Sequence, residues 1–498
     1  MIRKTGATLW RITTDTIPAL VSEKPSAADR LGARAVRNSL YVLTARVLSR
    51  LVALVVVVLL ANHLGADGYG RFTTLIAYSA LISVVADLGL SPLYTREAAR
   101  EPDRISHYLS NLLVGKLPLS VLAFAVMAAA LGSSHLPALI VPGGLLLVLT
   151  TYSALLRNTF YAAGRLELEM IAILAEIAIQ ATLIVIGSKG GMGVAYFVWA
   201  YAAAAAFNIA YCLVVIRLFR LGRPGAGFDP ALFRAWLSLA LPFALGSFLT
   251  NLYFRADVPI LQHFKPFHEV GWYQLAYKPF EALQFIPLAV QSVVYPVLAV
   301  YHRSATDRLG GAYTLFFKIL VLLGWPLSVG TLVLASPVGH LFRLFPQSIP
   351  ALRILALGIV FLFVNSAFTA MLYSIDRQDL FAWTTGIAVV VNVGLNLLLI
   401  PRYGYLAAAA TTVLTEAAFA VTAWWFIRGR HRLDWFGSSW RILIAGTLMG
   451  LVLVPISGRS ILLSVPAGLA VYALGLGLTR ALSREELSLF LRGLRRAG

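Results

Sequence analysis

The sequence predicts an all-α polytopic membrane protein with about fourteen transmembrane helices, and three observations lead there. Charge is scarce: 13% of the 498 residues are charged and 59% are hydrophobic, whereas a soluble chain carries about 25% charged residues. The apolar residues fall in blocks of about 20 or more, enough to cross a ~30 Å hydrocarbon core at about 1.5 Å per residue. Lys and Arg are spread unevenly over alternate connections, the asymmetry that orients membrane helices.

Taken in order, the blocks are 38–62, 70–90, 109–131, 137–162, 166–187, 193–219, 237–264, 271–299, 311–335, 351–375, 378–400, 404–427, 440–457 and 461–480. Polar turns follow alternate blocks, among them Ala66-Asp67-Gly68, Gly132-Ser133-Ser134 and Ser188-Lys189-Gly190-Gly191. No connection is long enough for a folded soluble domain. With the N-terminus inside, the inner segments hold 29 of the 41 Lys and Arg and the outer segments 7. Both termini are therefore expected in the cytoplasm. Residues 1–37 lack an apolar core, so they read as a basic cytoplasmic tail and not as a signal peptide.

The net charge of +19 would suggest a nucleic-acid partner in a soluble chain. Here the basic inner segments account for it, and no nucleic acid is expected. The single cysteine, Cys212, lies in an apolar block, so neither a disulfide framework nor a metal cluster is expected.

Two turns recur in the chain. Asn62-His63-Leu64, a linker and Gly70-Arg71-Phe72 are echoed by Gln262-His263-Phe264, a linker and Gly271-Trp272-Tyr273. Likewise Gly164-Arg165-Leu166-Glu167 and Asp376-Arg377-Gln378-Asp379 each open an apolar block of about 20 residues, which ends in a glycine-containing turn and an alanine-rich block. Blocks one to six and seven to twelve thus read as two copies of a six-helix unit. Both start inside, so they form a parallel pseudo-repeat about an axis along the membrane normal. The expected organisation is a tail (1–37), a first lobe (38–219), a cytoplasmic linker (220–236), a second lobe (237–427), two extra helices (428–480) and a second basic tail (481–498).

The remaining five basic residues, Arg46, Arg50, Lys116, Arg255 and Lys278, fall inside blocks, as do Asp87, Glu176, Asp257, Glu281 and Glu416. Charge at membrane depth is costly, faces protein-lined cavities and marks transport paths. Arg46 and Arg50, four apart, share one helix face. Guanidinium matches phosphate oxygens in bidentate fashion, while snorkelling to the headgroups is the competing account of these two and of Lys116. Lys278 has Glu281 three residues on, so a local pair competes with a cavity role. The five acids either carry a coupling ion or balance the bases. Tyr273 and Tyr277 are candidate sugar-stacking rings.

Several motifs carry a family likeness. Leu64-Gly-Ala-Asp-Gly-Tyr-Gly-Arg-Phe72, Ala86-Asp-Leu-Gly-Leu90, Arg255-Ala-Asp257 with Glu269-Val-Gly-Trp-Tyr273, and Asn392-Val-Gly-Leu-Asn-Leu-Leu-Leu-Ile-Pro-Arg-Tyr-Gly404 occur in order. Together they resemble bacterial polysaccharide flippases, the oligosaccharidyl-lipid flippases of the multidrug/oligosaccharidyl-lipid/polysaccharide exporter superfamily. That family includes the O-antigen and lipid II flippases, and the likeness runs from about residue 38 to 480. It implies two six-helix lobes around a central cavity that opens alternately to each membrane face. It also implies a lipid-linked oligosaccharide cargo on polyprenyl pyrophosphate, a site in the bacterial cytoplasmic membrane, and other polysaccharide assembly and export proteins as partners. On that reading Arg46, Arg50, Lys116, Arg255 and Lys278 line the cavity, with Arg50 an inner and Arg255 an outer station for the pyrophosphate. No cofactor is expected beyond a coupling ion, H+ or Na+. A drug antiporter of the same superfamily and a membrane polysaccharide polymerase are the competing classes. The two extra helices argue against the first, and the lack of a carboxylate-bearing outer loop argues against the second.

Overall fold

The computed structural model describes residues 27–304, 306–428, 435–458 and 460–481. Most of both expected tails, and the side chain of Arg46, lie outside the described residues. Helices dominate. The first helix, α1 (Ala27–Asp87), turns at Gly65 (φ 68°) and is followed by the short α2 (Leu90–Arg100). Next come α3 (Ile105–Ser133), α4 (Ile140–Ala162), α5 (Leu166–Lys189) and α6 (Val194–Leu218).

The second half begins with α7 (Pro230–Arg255), where Asp229 caps the N–H groups of Ala231 and Leu232 at 3.0 and 3.1 Å and Pro230 fills the first turn. This is the ordinary start signal of a helix. It continues through α8 (Asp257–Phe264), α9 (Phe267–Leu283), α10 (Phe285–Ser304), α11 (Thr306–Val333) and α12 (Ala335–Leu341). Helices α13 (Ser348–Ser374) and α14 (Gln378–Arg428), the latter turning at Gly404 (φ 60°), lead to α15 (Trp435–Leu453) and α16 (Ile461–Leu478).

Among the described residues, twelve helical stretches are long and apolar enough to cross a membrane. This is a multi-pass membrane protein. Two of the twelve, Leu48–Asp87 and Gln378–Arg428, contain the turns at Gly65 and Gly404; dividing each at its glycine gives the fourteen of the sequence reading. Reporter fusions after Gly132, Gly191 and Gly458 are the test of that count and its orientation. Leu218, Leu462 and Leu478 are among many large apolar residues left bare on the outside of the bundle, as lipid contact requires.

In the first half α3, α4 and α5 pack on α1, and α6 packs on α4 and α5; in the second, α13 packs on α9, α10, α11 and α14. The last two helices attach to α11. Trp325 donates to the Leu443 carbonyl at 2.9 Å, and Tyr472 donates to the Leu322 carbonyl at 2.8 Å.

The two sequence echoes take matching shapes. Gly164 and Asp376 both adopt positive φ (67° and 55°), and each is followed by an Arg paired to the acid two residues on: Arg165 with Glu167, and Arg377 with Asp379 at 2.7 Å. The other echo is reciprocal. A side chain at Gly70 would strike the Phe267 carbonyl, and one at Gly271 would strike the Ala66 carbonyl. Each glycine thus abuts the carbonyl four residues before its counterpart, and the backbones of α1 and α9 cross with no room for a methyl group.

Candidate functional site

Beyond that crossing, α1 and α9 carry charge. Helix α9 places Lys278 and Glu281 three apart on one face, and Lys278 Nζ lies 2.8 Å from Glu281 Oε2. Arg255, the last residue of α7, reaches Glu281 Oε1 at 3.6 Å, and Arg50 from α1 reaches the same oxygen at 3.5 Å. Three cations therefore share one carboxylate. Arg50 remains 63% exposed, against 26% for Arg255 and 19% for Lys278. Glu281 is ten residues past Gly271, about 15 Å along the helix at about 1.5 Å per residue, which is half of a ~30 Å core. The cluster sits near mid-membrane.

In this conformation the two expected stations, Arg50 and Arg255, meet at one carboxylate. Arg50 is fifteen residues before Gly65, about 22 Å along its helix at about 1.5 Å per residue, and counting Cα positions puts it well below Arg255. Long side chains close the difference, because both arginines meet Glu281. In this conformation they belong to one cluster.

Lys116 is elsewhere. Its side chain is fully buried and its Nζ lies 2.5 Å from Asp87 Oδ1. Asp87 also accepts from the Ser91 hydroxyl and, at 3.2 Å, from the Ser91 N–H. It ends α1 and supports the start of α2, so Lys116 and Asp87 hold a helix junction. Neither snorkelling nor the cation cluster describes Lys116.

The other acids divide by partner. Glu176 lies 3.1 Å from Arg157, which also binds Glu169 at 2.5 Å, and Asn208 donates to Glu176 at 2.8 Å. Asp257 is buried, and among the described residues its hydrogen-bond donors are neutral: the Tyr273 hydroxyl and, at 2.9 Å, the Val258 N–H. Tyr273 also lies 3.0 Å from the Thr412 hydroxyl. Glu416 is buried and accepts from Asn365 at 2.7 Å. Tyr273 and Tyr277 are both buried, so neither presents a face for sugar stacking. Sequence reasoning missed Arg157 and Asn365, although the acids that Arg157 binds, Glu169 and Glu176, follow a helical seven-residue step.

The helix bundle and the charge inside it define a polytopic membrane protein. The chain belongs to the polysaccharide biosynthesis protein family, whose model matches residues 35–302, more than half of the chain. The model described as lipid II flippase MurJ matches residues 273–474. Among solved structures, a lipid II flippase MurJ in an inward closed conformation superposes with TM-score 0.73 at 14% identity, covering 91% of this chain and 99% of that one. An inward-facing multidrug resistance MATE family transporter of the MOP superfamily gives 0.60 at 17% identity, over 77% of this chain and 94% of that one. A MOP superfamily transporter from Pyrococcus furiosus gives 0.52 at 16% identity, over 86% and 96%. The uncharacterized membrane protein MJ1068 of Methanocaldococcus jannaschii is 27% identical over 135 residues, 24% of this chain and 27% of that relative's length. The match therefore spans about a quarter of that relative.

Proposed function

We propose that this protein is a flippase that moves a polyprenyl-pyrophosphate-linked oligosaccharide from the inner to the outer leaflet of the bacterial cytoplasmic membrane, by alternating access, for polysaccharide export. The observation that carries the reading is the cluster of Arg50, Arg255 and Lys278 on Glu281. One carboxylate cannot neutralise three cations, and even with the charge of Asp257, which Arg255 also feels, the cluster keeps a formal positive charge in a region where uncompensated charge is costly. A pyrophosphate supplies the missing negative charge, and the arginine forks suit its oxygens. Glu281 holds the three cations in place until the anion arrives, then shares them. The polyprenyl chain stays in lipid while the headgroup passes.

Family membership supports a role in polysaccharide biosynthesis, and the likeness to a lipid II flippase supports a lipid-linked cargo. The MATE-like neighbours favour the antiporter alternative less, since they cover less of the chain at lower TM-score. In this reading the lobes of 38–219 and 237–427 rock about the central site, both termini are cytoplasmic, and other assembly proteins receive the product.

Coupling to H+ or Na+ is assigned to Asp257. Asp87, Glu176 and Glu281 each have a cation within 4.0 Å, whereas the hydrogen bonds to Asp257 and Glu416 come from neutral groups; of these two, Asp257 is the one two residues from Arg255 of the cation cluster. Asp257→Asn is expected to abolish gradient dependence at normal expression; unchanged dependence would remove Asp257 from the coupling role. For the cargo, depletion of the protein is expected to accumulate lipid-linked oligosaccharide in the inner leaflet. Unaltered lipid-linked sugars on depletion would contradict the assignment.

A further inference from the structure

One turn beyond Glu281 the chemistry changes. A cavity of about 240 Å³ opens between α7, α10, α13 and α14, lined by Tyr253, Gln284, Asn365, Phe381, Glu416 and Phe419 among others. Gln284 is three residues past Glu281, about 4.5 Å of helix rise at 1.5 Å per residue, so the cavity adjoins the cation cluster. Among the described residues, Glu416 is the one charged residue that lines it. Asn365 donates through Nδ2 to the Glu416 carboxylate at 2.7 Å and to the Glu416 carbonyl at 3.0 Å. Its Oδ1 is buried with no hydrogen-bond partner among the described residues, on a residue only 7% exposed. A buried acceptor left bare costs free energy, and a donor in the cavity toward which the Asn365 amide turns would relieve it. On another part of the wall are aromatic rings: Phe419 stands 6.3 Å from Tyr253 and 6.1 Å from Phe381, both edge-on.

We propose that this cavity is a sugar subsite, and that it takes one uncharged pyranose, the residue next to the pyrophosphate of the cargo. A sugar ring offers hydroxyl donors to Asn365 Oδ1 and to Glu416, an acceptor to the Gln284 amide, and C–H faces to Phe381 and Phe419. The cavity is smaller than the ~300–1,000 Å³ of drug-sized sites, so it suits a single ring and not a longer glycan. Glu416 excludes a sugar acid, because a second carboxylate beside it would be repelled at low dielectric. The cluster thus recognises the phosphates every such cargo shares, and the cavity reads the first sugar.

This inference rests on the flippase reading, and binding to the purified full-length protein separates the two. The probes are methyl glucopyranoside, methyl galactopyranoside, methyl mannopyranoside, glucuronate, inorganic pyrophosphate and sodium ion, with thermal stabilisation in detergent as the readout. At least one methyl pyranoside is expected to stabilise the wild type at millimolar concentration, and glucuronate none. Asn365→Leu should abolish the pyranoside response and Gln284→Ala should weaken it about tenfold, the size of one hydrogen bond. Both should keep the pyrophosphate response. Arg255→Ala should do the reverse. No pyranoside response in the wild type, or an undiminished one in both cavity variants, overturns the subsite. A sodium response that Asn365→Leu removes, with no pyranoside response, makes the cavity a cation site instead. Loss of the pyrophosphate response alone would count against the cluster and leave the subsite standing.

Discussion

The two halves of the molecule treat their intramembrane charges differently. In the first half each acid has a cation: Asp87 has Lys116, and Glu169 and Glu176 share Arg157. In the second half Asp257 and Glu416 are held by neutral donors, and Glu281 is outnumbered by Arg50, Arg255 and Lys278. Apart from Arg50, which reaches across to Glu281, the first half is electrostatically closed, and the second is open. A buried pair whose charges cancel asks for no ligand, whereas an excess of cations at mid-membrane does. The difference shows why a charge inside a span is not by itself a binding residue: its count against its neighbours decides the role.

The closed side should break hardest. Lys116→Met leaves Asp87 without its cation and is expected to cost about 3–5 kcal/mol of stability, as removal of one partner of a buried pair does. Thermal denaturation of the solubilised protein reads this, and adding Asp87→Asn should restore part of the loss. A variant as stable as wild type would show that the pair is not holding the α1–α2 junction.

The crossing that joins the halves should come next. Gly271→Ala drives a methyl group into the Ala66 carbonyl, and overpacking of this kind costs about 1–3 kcal/mol. Gly70→Ala should match it, because the contact is reciprocal. A large effect at one glycine and none at the other would mean the symmetry does not carry the load.

Within the open side the effects should be graded. Arg50 is the most exposed member of the cluster and touches only one oxygen, so Arg50→Ala should slow export less than Arg255→Ala. Arg50→Lys should recover part of it, since charge survives and the planar fork is lost. Arg402, exposed beside the Gly404 turn, should tolerate alanine with no change. Equal losses at Arg50 and Arg402 would point to a general charge effect on insertion.

Much of this was legible in the sequence. The spans follow from apolar blocks, and the repeated turns at Gly164 and Asp376, and at Gly70 and Gly271, were marked by the echo of short motifs. Lys278 with Glu281 was a local pair three residues apart. What the sequence could not supply was partnership across the chain. Arg50 meets Glu281 across 231 residues, and helical periodicity gives depth along a helix but not which helix stands opposite. Lys116 shows the same limit: its depth suggested the membrane surface, but its partner is Asp87, 29 residues away, at a point where α1 breaks. The neutral surroundings of Asp257 and Glu416 depend on Tyr273 and Asn365, which no charge pattern singles out.

The central claim is that the cation excess on Glu281 carries the anionic headgroup. It is tested most directly by export of labelled glycan, normalised to membrane-inserted protein, in Arg255→Ala and Lys278→Ala. Hydrogen bonds to charged groups are worth about 1.5–3 kcal/mol, so each variant is expected to lose about ten- to a hundredfold in export while inserting normally. Wild-type export in both variants would contradict the account.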